Sequence, residues 1–316
     1  MPELPDIEVY VTALDRRVTG RTLAGVRLRN PFVLRTVTPT PDELTGRRVV
    51  SVERMGKRIV MGFEDDLFVA LHLMVAGRLQ WRKAGAGMPG KLAHAAFDFE
   101  HGTLLLTEAS SRKRAAIHLI RGREALAALD RGGIEPLVAD AATFAGALRR
   151  ENHTLKRALT DPRLFSGIGN AYSDEILHRA RMSPFKLTQG MTDDEIEELR
   201  QAVSGVLVEW TNRLLAECGT EFPTHVTAFH EGMAVHGRFG KPCPDCGTPV
   251  QRIVYAENEC NYCPTCQTGG KLLADRALSR LLKDDWPRSL DALEETRDAH
   301  RLGRHHANNG ETSECE

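Results

Sequence analysis

No stretch of this 316-residue chain approaches the roughly 20 consecutive apolar residues of a membrane-spanning helix. Nor does a basic, apolar leader open it: Glu3, Asp6 and Glu8 stand where a signal peptide would be positively charged. The expectation is a soluble, cytoplasmic protein with no membrane partner. No internal repeat divides it. A surplus of basic charge is missing too. The formal net charge is −1, which by itself announces no polyanionic partner. Its distribution removes that objection. From Lys283 to Glu316 five Lys or Arg stand against nine Asp or Glu, so this stretch carries −4 and residues 1–282 carry +3. Cysteines spread in pairs along the chain are also absent. Five of the seven crowd into 243–266, with Cys218 and Cys315 apart. An odd number at tight local spacing points to a metal site in a reducing compartment, not to a disulfide framework.

What is present suffices for two ordinary domains with real cores. Residues 6–19 read as a helix: Ile7, Tyr10, Val11, Leu14 and Val18 share one face, Asp6 can cap it and Gly20 can end it. Residues 22–120 change character. Short β-rich runs (Val49–Val52, Arg58–Phe63, Leu67–Leu73, Phe97–Phe99, Leu104–Thr107) alternate with turn residues, the pattern of an antiparallel sandwich. Residues 83–90 read as a flexible loop. From about 140 to 216 the chain reads as helical, with a capping box at Thr192-x-x-Glu195 and an apolar stripe from Ile196 to Leu214. Residues 228–267 resemble a β-hairpin holding a metal, Leu272–Leu282 a further helix, and the polar end a disordered tail. The fold class is α+β.

Cys243-Pro-Asp-Cys246 and Cys263-Pro-Thr-Cys266 are separated by sixteen residues. Two CxxC knuckles at that separation can bring four thiolates around one tetrahedral Zn2+. Cys260-Asn-Tyr-Cys263 is also CxxC, but the repeated Cys-Pro-x-Cys favours Cys263 and Cys266, leaving Cys260 as a filler or spare thiol. Four protein ligands leave no position for a catalytic water, so the single zinc is expected to be structural. It would hold a hairpin too short for a core of its own.

Met1 before the small Pro2 is of the kind normally removed, leaving a secondary amine at the chain end. An α-amino group titrates at about 7.7–8.0, so a useful fraction is neutral and nucleophilic near pH 7. Attack of such an amine on a sugar C1′ gives an iminium ion, which acidifies the C2′ proton and permits strand cleavage by elimination. Glu3 stands next to it to move protons. Taken alone, Met-Pro-Glu is a start shared by many unrelated proteins.

Three motifs in register add weight. Met1-Pro2-Glu3-Leu4-Pro5-Asp6-Ile7-Glu8, Gly167-Ile168-Gly169-Asn170-Ala171-Tyr172-x-x-Glu175 and Cys-x2-Cys-Gly…Tyr-Cys-Pro-x-Cys-Gln together resemble the formamidopyrimidine-DNA glycosylase / endonuclease VIII family. The likeness runs in order from residue 2 to about residue 267. It implies an N-terminal β-sandwich domain and a C-terminal helix–two-turns–helix domain with a zinc finger. DNA would lie in the cleft between them, the damaged nucleotide flipped out. Pro2 would be the nucleophile and Glu3 the acid/base. Lys57, in Met55-Gly56-Lys57-Arg58, matches a family lysine on the phosphate beside the lesion. Lys156 matches another phosphate contact. Asn170 fits both a helix N-cap and a phosphate ligand at a helix N-terminus. His72 and His94 fall at matching places, where a structural role weighs equally with DNA contact. The division expected is 1–135 catalytic sandwich, 136–227 helix–two-turns–helix, 228–268 zinc finger, 269–298 helical extension and 299–316 disordered tail.

The sequence departs from that family in three places. Its usual Glu at position 6 is Asp6. The residues that refill the duplex are altered: Met74 stands one place early in His72-Leu73-Met74-Val75-Ala76-Gly77, and Glu108-Ala109-Ser110-Ser111-Arg112-Lys113-Arg114-Ala115 holds no aromatic wedge. Arg112 and Arg114 are the candidates for DNA contact there. The finger has Asn258 where an arginine is usual, with Arg252 or Arg238 nearby as substitutes. The expected activity is a monomeric, nucleoid-associated bifunctional DNA glycosylase and abasic-site lyase acting on oxidised bases in damaged DNA, with a lesion preference that differs from 8-oxoguanine. Competing readings are a lyase or glycosylase for single-stranded or crosslinked DNA, a non-catalytic damaged-DNA-binding protein, and a zinc-ribbon regulatory protein.

Overall fold

The computed structural model describes residues 1–224, 226–227, 229–255, 258–273, 289 and 292. The chain opens with helix α1, Leu4–Val18. Strand β1 (Leu23–Leu28), the short α2 (Pro41–Leu44), and strands β2 (Val49–Met55), β3 (Arg58–Phe63), β4 (Leu67–His72), β5 (Gly77–Arg82), β6 (Ala93–Phe99), β7 (Gly102–Glu108) and β8 (Ala116–Arg121) follow. Then come helices α3 (Arg123–Ala127), α4 (Ala141–Arg149), α5 (Leu155–Thr160), α6 (Asn170–Arg179) and α7 (Asp193–Cys218). Strands β9 (Gln251–Tyr255) and β10 (Asn258–Tyr262) form a hairpin, and α8 (Pro264–Thr268) closes the described core.

The eight N-terminal strands make two four-stranded antiparallel sheets, ordered β1-β6-β7-β5 and β2-β3-β4-β8. Their facing sides meet through Leu23, Ile59, Met61, Val69, Leu71, Phe97, Leu104, Leu106 and Ile117. The apolar stripe of α1 enters the same core with Ile7, Tyr10, Leu14 and Val18, while Val11 is only half-buried. Each such side chain contributes about 1.5–3 kcal/mol when withdrawn from water. The helix starts at Leu4, earlier than its pattern suggests, because Glu3 supplies the cap and Pro5 suits the first turn. Asp6 does help to cap it: Oδ2 accepts the Glu3 N–H at 2.8 Å.

A second core gathers Leu4 with Phe144, Leu155, Phe165, Tyr172, Ile176, Leu199, Val203 and Leu207. Leu4 is the telling member. The N-terminal residues of the sandwich half are buried in the helical half. The loop of residues 83–92 is tied to β1, since Arg27 and Arg29 donate to the carbonyls of Ala86 and Met88. The helix expected over 272–282 and the tail 299–316, Cys315 included, lie outside the described residues apart from Leu272 and Leu273. Among the described residues no helix is long and apolar enough to cross a membrane.

Candidate active site and metal centre

The start of α1 is drawn against the turn before α6. Leu4 N–H donates to the Gly167 carbonyl at 3.0 Å. The Glu3 carboxylate reaches the first turn of α6 and accepts N–H groups from Gly169 at 2.7 Å, Ala171 at 2.9 Å and Tyr172 at 3.2 Å. These are the amides that a helix N-terminus leaves without internal partners, and they favour an anion. The sequence suggests that they are offered to a phosphate; in the structure a protein carboxylate takes three of them. Asn170 is the first helical residue and Gly169 holds the N-cap position, one place earlier than expected. Gly169 also explains why this turn is so bare. A Cβ there would lie 2.5 Å from Glu3 Oε1 and 2.7 Å from Lys57 Nζ. The turn, Glu3 and Lys57 therefore converge on a space that only glycine leaves. Gly167, at φ +79°, needs the missing Cβ for its conformation as well.

Lys57 occupies the β2–β3 turn. Arg54, just before it, is 10% exposed and braces that turn, donating to Glu8 Oε1 at 2.6 Å, to the Gly56 carbonyl at 3.1 Å and to Glu135. Ser166 donates to the same Glu135, so one guanidinium ties the sandwich, α1 and the Gly167 turn together. Burial lowers the Lys57 ammonium below its ordinary value; Lys156 adds to this and Glu3 opposes it. The chain-terminal amine of Met1 is lowered too, again by burial, with Glu3 and Asp6 opposing and Arg78 and Lys57 assisting. Pro2 is buried beside it. An amine held below its usual value has a larger neutral, nucleophilic fraction at neutral pH.

Helix α6 connects this corner to the rest of the helical half. Lys156 Nζ donates to the Asn170 carbonyl at 2.6 Å, Ser173 Oγ at 2.8 Å and Asp174 Oδ1 at 2.5 Å. It is 6% exposed, so this candidate phosphate ligand lies inside the domain, with three protein acceptors around its ammonium. Burial pushes the Asp174 carboxyl up, but Lys156 and His236 outweigh it and hold it below its ordinary value. The Glu175 carboxylate accepts the N–H groups of Ala234, Val235 and His236 at 2.7–2.9 Å. Near the far end of the helix, His178 Nε2 lies 3.3 Å from Cys243 Sγ. Spacing and motif gave no sign of Asp174, His178 or His236 as site-building residues. Their partners stand 18 to 87 residues away, beyond any periodic pattern.

The candidate probing residues separate into two kinds. His72 Nδ1 accepts the Met74 N–H at 3.1 Å, and Met74 adopts a left-handed φ of +53°. Burial, with Arg58 and Lys57 nearby, lowers His72 to about 4, so the ring is neutral at physiological pH. The β4–β5 turn thus holds Met74 half-exposed and Val75 exposed in a fixed conformation. Arg112 and Arg114 are exposed on the β7–β8 loop. His94, by contrast, is 2% exposed, beside Asn30 at 3.2 Å and Glu108 at 3.3 Å. Glu108 accepts the N–H groups of Arg114 and Ala115, so His94 buttresses the root of the basic loop from within. Asn258 begins β10. Of its possible substitutes, Arg252 faces Glu259 at 3.4 Å and the ring of Phe239 at 4.7 Å, and Arg238 donates to the Pro242 carbonyl.

The sulfurs of Cys243, Cys246, Cys263 and Cys266 all lie within 4.8 Å of one another. Two of the separations, Cys243 to Cys266 and Cys246 to Cys263, are 3.9 and 3.4 Å. Tetrahedral ligation at a metal–sulfur distance of about 2.3 Å implies edges of about 3.8 Å, so the four fit one metal ion. Cys260 is buried in β10 and stands outside this group.

Residues 1–117 match the family described as formamidopyrimidine-DNA glycosylase N-terminal domain, and residues 133–213 match the formamidopyrimidine-DNA glycosylase H2TH domain. The formamidopyrimidine-DNA glycosylase of Chloroflexus aurantiacus is 34% identical over 281 residues, which cover 84% of this chain and 98% of that protein. The chain belongs to the formamidopyrimidine-DNA glycosylase family. The Thermus thermophilus member is likewise 34% identical, over 85% of this chain and 100% of its own length. Among solved structures, a Lactococcus lactis member in complex with DNA containing an abasic site superposes with a TM-score of 0.74 at 26% identity, covering 84% of this chain and 99% of that one. A MutM complex with DNA containing carbocyclic 8-oxo-G gives 0.73 at 25% identity, over 84% and 100%. The two family models span the sandwich and the helices up to α7.

Proposed function

We propose that this protein is a DNA glycosylase of base excision repair that also cleaves abasic sites, with Pro2 as nucleophile once Met1 is removed. The observation that carries this is the convergence of Glu3, Lys57 and the Gly167–Asn170 turn on the buried start of the chain. The secondary amine attacks C1′ of an extruded nucleotide and the base departs. Loss of the amine proton and opening of the sugar ring at O4′ give the iminium ion, and removal of a C2′ proton then breaks the 3′ C–O bond. Glu3, held by three amides, is aimed to exchange protons with the sugar. Lys57 supplies a cation for the flanking phosphate, and the half-buried Asn170, on the same turn, a hydrogen-bonding side chain. Lys156 acts from beneath, fixing the first turn of α6. Met74, Val75 and the Arg112–Arg114 loop are assigned to the duplex beside the flipped nucleotide.

The four-cysteine centre is assigned one structural Zn2+, because an all-sulfur tetrahedral donor set suits that ion and leaves no open position. The altered probing loops support a lesion preference displaced from 8-oxoguanine opposite cytosine; excision of that pair at the family's usual efficiency would overturn this part. The main reading is tested with abasic-site DNA and sodium borohydride. A covalent complex with the wild type, lost in Pro2→Gly, is expected. Tight binding to the same DNA without any trapped complex would favour a DNA-binding protein without chemistry.

A further inference from the structure

Asp6 and His230 stand 224 residues apart and meet beneath the start of α1, with His230 Nε2 2.8 Å from Asp6 Oδ1. The two side chains are 0% and 10% exposed. The Asp6 carboxylate is engaged at both oxygens, because Oδ2 holds the Glu3 N–H at 2.8 Å. Trp210 of α7 backs the imidazole, with ring centroids 5.4 Å apart. Both residues also line a cavity of about 320 Å3 whose walls include Val9, Glu217 and Phe222. We propose that His230 is a positioning residue for the nucleophile: by holding the Asp6 oxygen that the Glu3 amide leaves, it pins the Pro2-Glu3 backbone against α6. This rests on the reading of Pro2 as the nucleophile.

The geometry explains why a histidine is needed. A carboxylate removed from water requires compensation at both oxygens, and a backbone amide serves only one. Burial raises the Asp6 carboxyl above its ordinary value, and the bonds to His230 and to the Glu3 amide oppose that. The other ionisable groups facing the pair are Glu3, the chain-terminal amine, Tyr10 of α1, Tyr172 of α6, Arg78 of β5, Lys57 of the β2–β3 turn, and Glu217, Cys218 and Glu221 across the cavity. His230 lies on the segment that leads from α7 into the cysteine hairpin, and residues 234–236 of that segment are clamped on Glu175. Docking of the segment on α6 therefore delivers His230 to Asp6, and the catalytic corner is complete only when that segment is in place.

The test uses full-length, metal-loaded protein as wild type, His230→Leu, His230→Gln and Pro2→Gly. Single-turnover trapping with abasic-site duplex and borohydride is followed between about pH 5 and 9. His230→Leu is expected to slow trapping at least about tenfold and to move the acid limb of the pH profile upward by about one unit, because Asp6 loses the group that favours its charged form. DNA affinity and metal content should hold within about threefold, since no phosphate contact or ligand is touched. His230→Gln can still donate to Asp6 and should recover most of the rate. Unchanged rate and pH profile in His230→Leu would overturn the proposal. Equal losses in both variants, tracking a lowered melting temperature, would overturn it in favour of a purely structural role. Failure of the wild type itself to be trapped would instead remove the Pro2 reading, and this inference with it.

Discussion

The Glu3 carboxylate and the Gly169 amide meet at 2.7 Å across 166 residues of chain. This contact joins the sandwich half to the helical half at the point where chemistry is assigned. Because a Cβ at position 169 would lie 2.5 Å from the Glu3 carboxylate, Gly169→Ala must displace Glu3, Lys57 or the turn. A displacement of the order of 1 Å at a reacting group costs about 100-fold in rate. Gly169→Ala is therefore expected to lose about two orders of magnitude in base excision and to lower the melting temperature, because the buried Glu3 carboxylate loses amide partners. Single-turnover kinetics beside a thermal melt would check it, and near wild-type excision would contradict the arrangement described.

The buried pair of Lys156 and Asp174 makes a separate prediction about stability. Removing one partner leaves an uncompensated charge inside the helical half. Lys156→Met should cost about 3–5 kcal/mol, read from denaturant unfolding. The acid dependence has a definite sign. Asp174 is held below its ordinary value in the folded protein. Its contribution is therefore fully present above the unfolded value of about 3.9 and disappears as pH falls through the lower folded value. In Lys156→Met the main group that holds Asp174 down is gone, so this acid-dependent contribution should shrink.

Metal analysis separates the five clustered cysteines. Wild type and Cys260→Ala should each bind about one zinc per chain, whereas Cys246→Ala should bind none. Because His178 stands 3.3 Å from Cys243, loss of the metal should be felt along α6. Chelation should weaken DNA binding and slow trapping while leaving the sandwich folded, which far-UV circular dichroism and a fluorescence binding curve would show. Zinc retention by Cys246→Ala with loss from Cys260→Ala would mean that the ligand set is different.

The β4–β5 turn offers a test in which stability and activity part company. Met74 holds φ +53°, a region costly for any side chain. Met74→Gly should leave stability within about 1 kcal/mol of wild type or raise it. Excision from duplex DNA should nevertheless fall, because the side chain assigned to the emptied stack is gone. Excision from single-stranded DNA should change less, since there is no stack to refill.

A salt titration addresses the basic loop. If Arg112 grips a phosphate, Arg112→Ala should weaken duplex binding at all sequences and reduce the slope of log affinity against log salt by about 1. An unchanged slope would place Arg112 off the DNA.

Local features of this chain were readable from its sequence. The stripe of α1, the capping box at Thr192 with the long α7 behind it, and the strands rich in Val, Ile and Leu all carry their period in the residues themselves. Strands β1, β5 and β8 did not, and β6 began four residues before its visible Phe97–Phe99 run. Ala93-His94-Ala95-Ala96 has low β propensity, and the LAGVRL of β1 buries only Leu23. These segments are strands because neighbours in the sheet claim their backbone groups. The site divides in the same way. The four cysteines and the Pro2-Glu3 start were legible as motifs, whereas Lys57 stood out only through the family resemblance. The roles of Lys156 and His94 were not legible, because burial is set by distant partners, and the meeting of Asp6 with His230 leaves no trace in either local sequence.

The Glu3–Gly169 contact bears also on truncated and extended chains. The residues assigned to attack DNA precede the turn that holds them by more than 160 residues of chain. A chain truncated before that turn leaves Glu3 without the three amides that hold it, so on the proposed reading such a fragment should not be trapped on DNA. On the same reading, a peptide fused ahead of Pro2 would convert its amine to an amide inside this buried corner, and trapping should require that the peptide be removed.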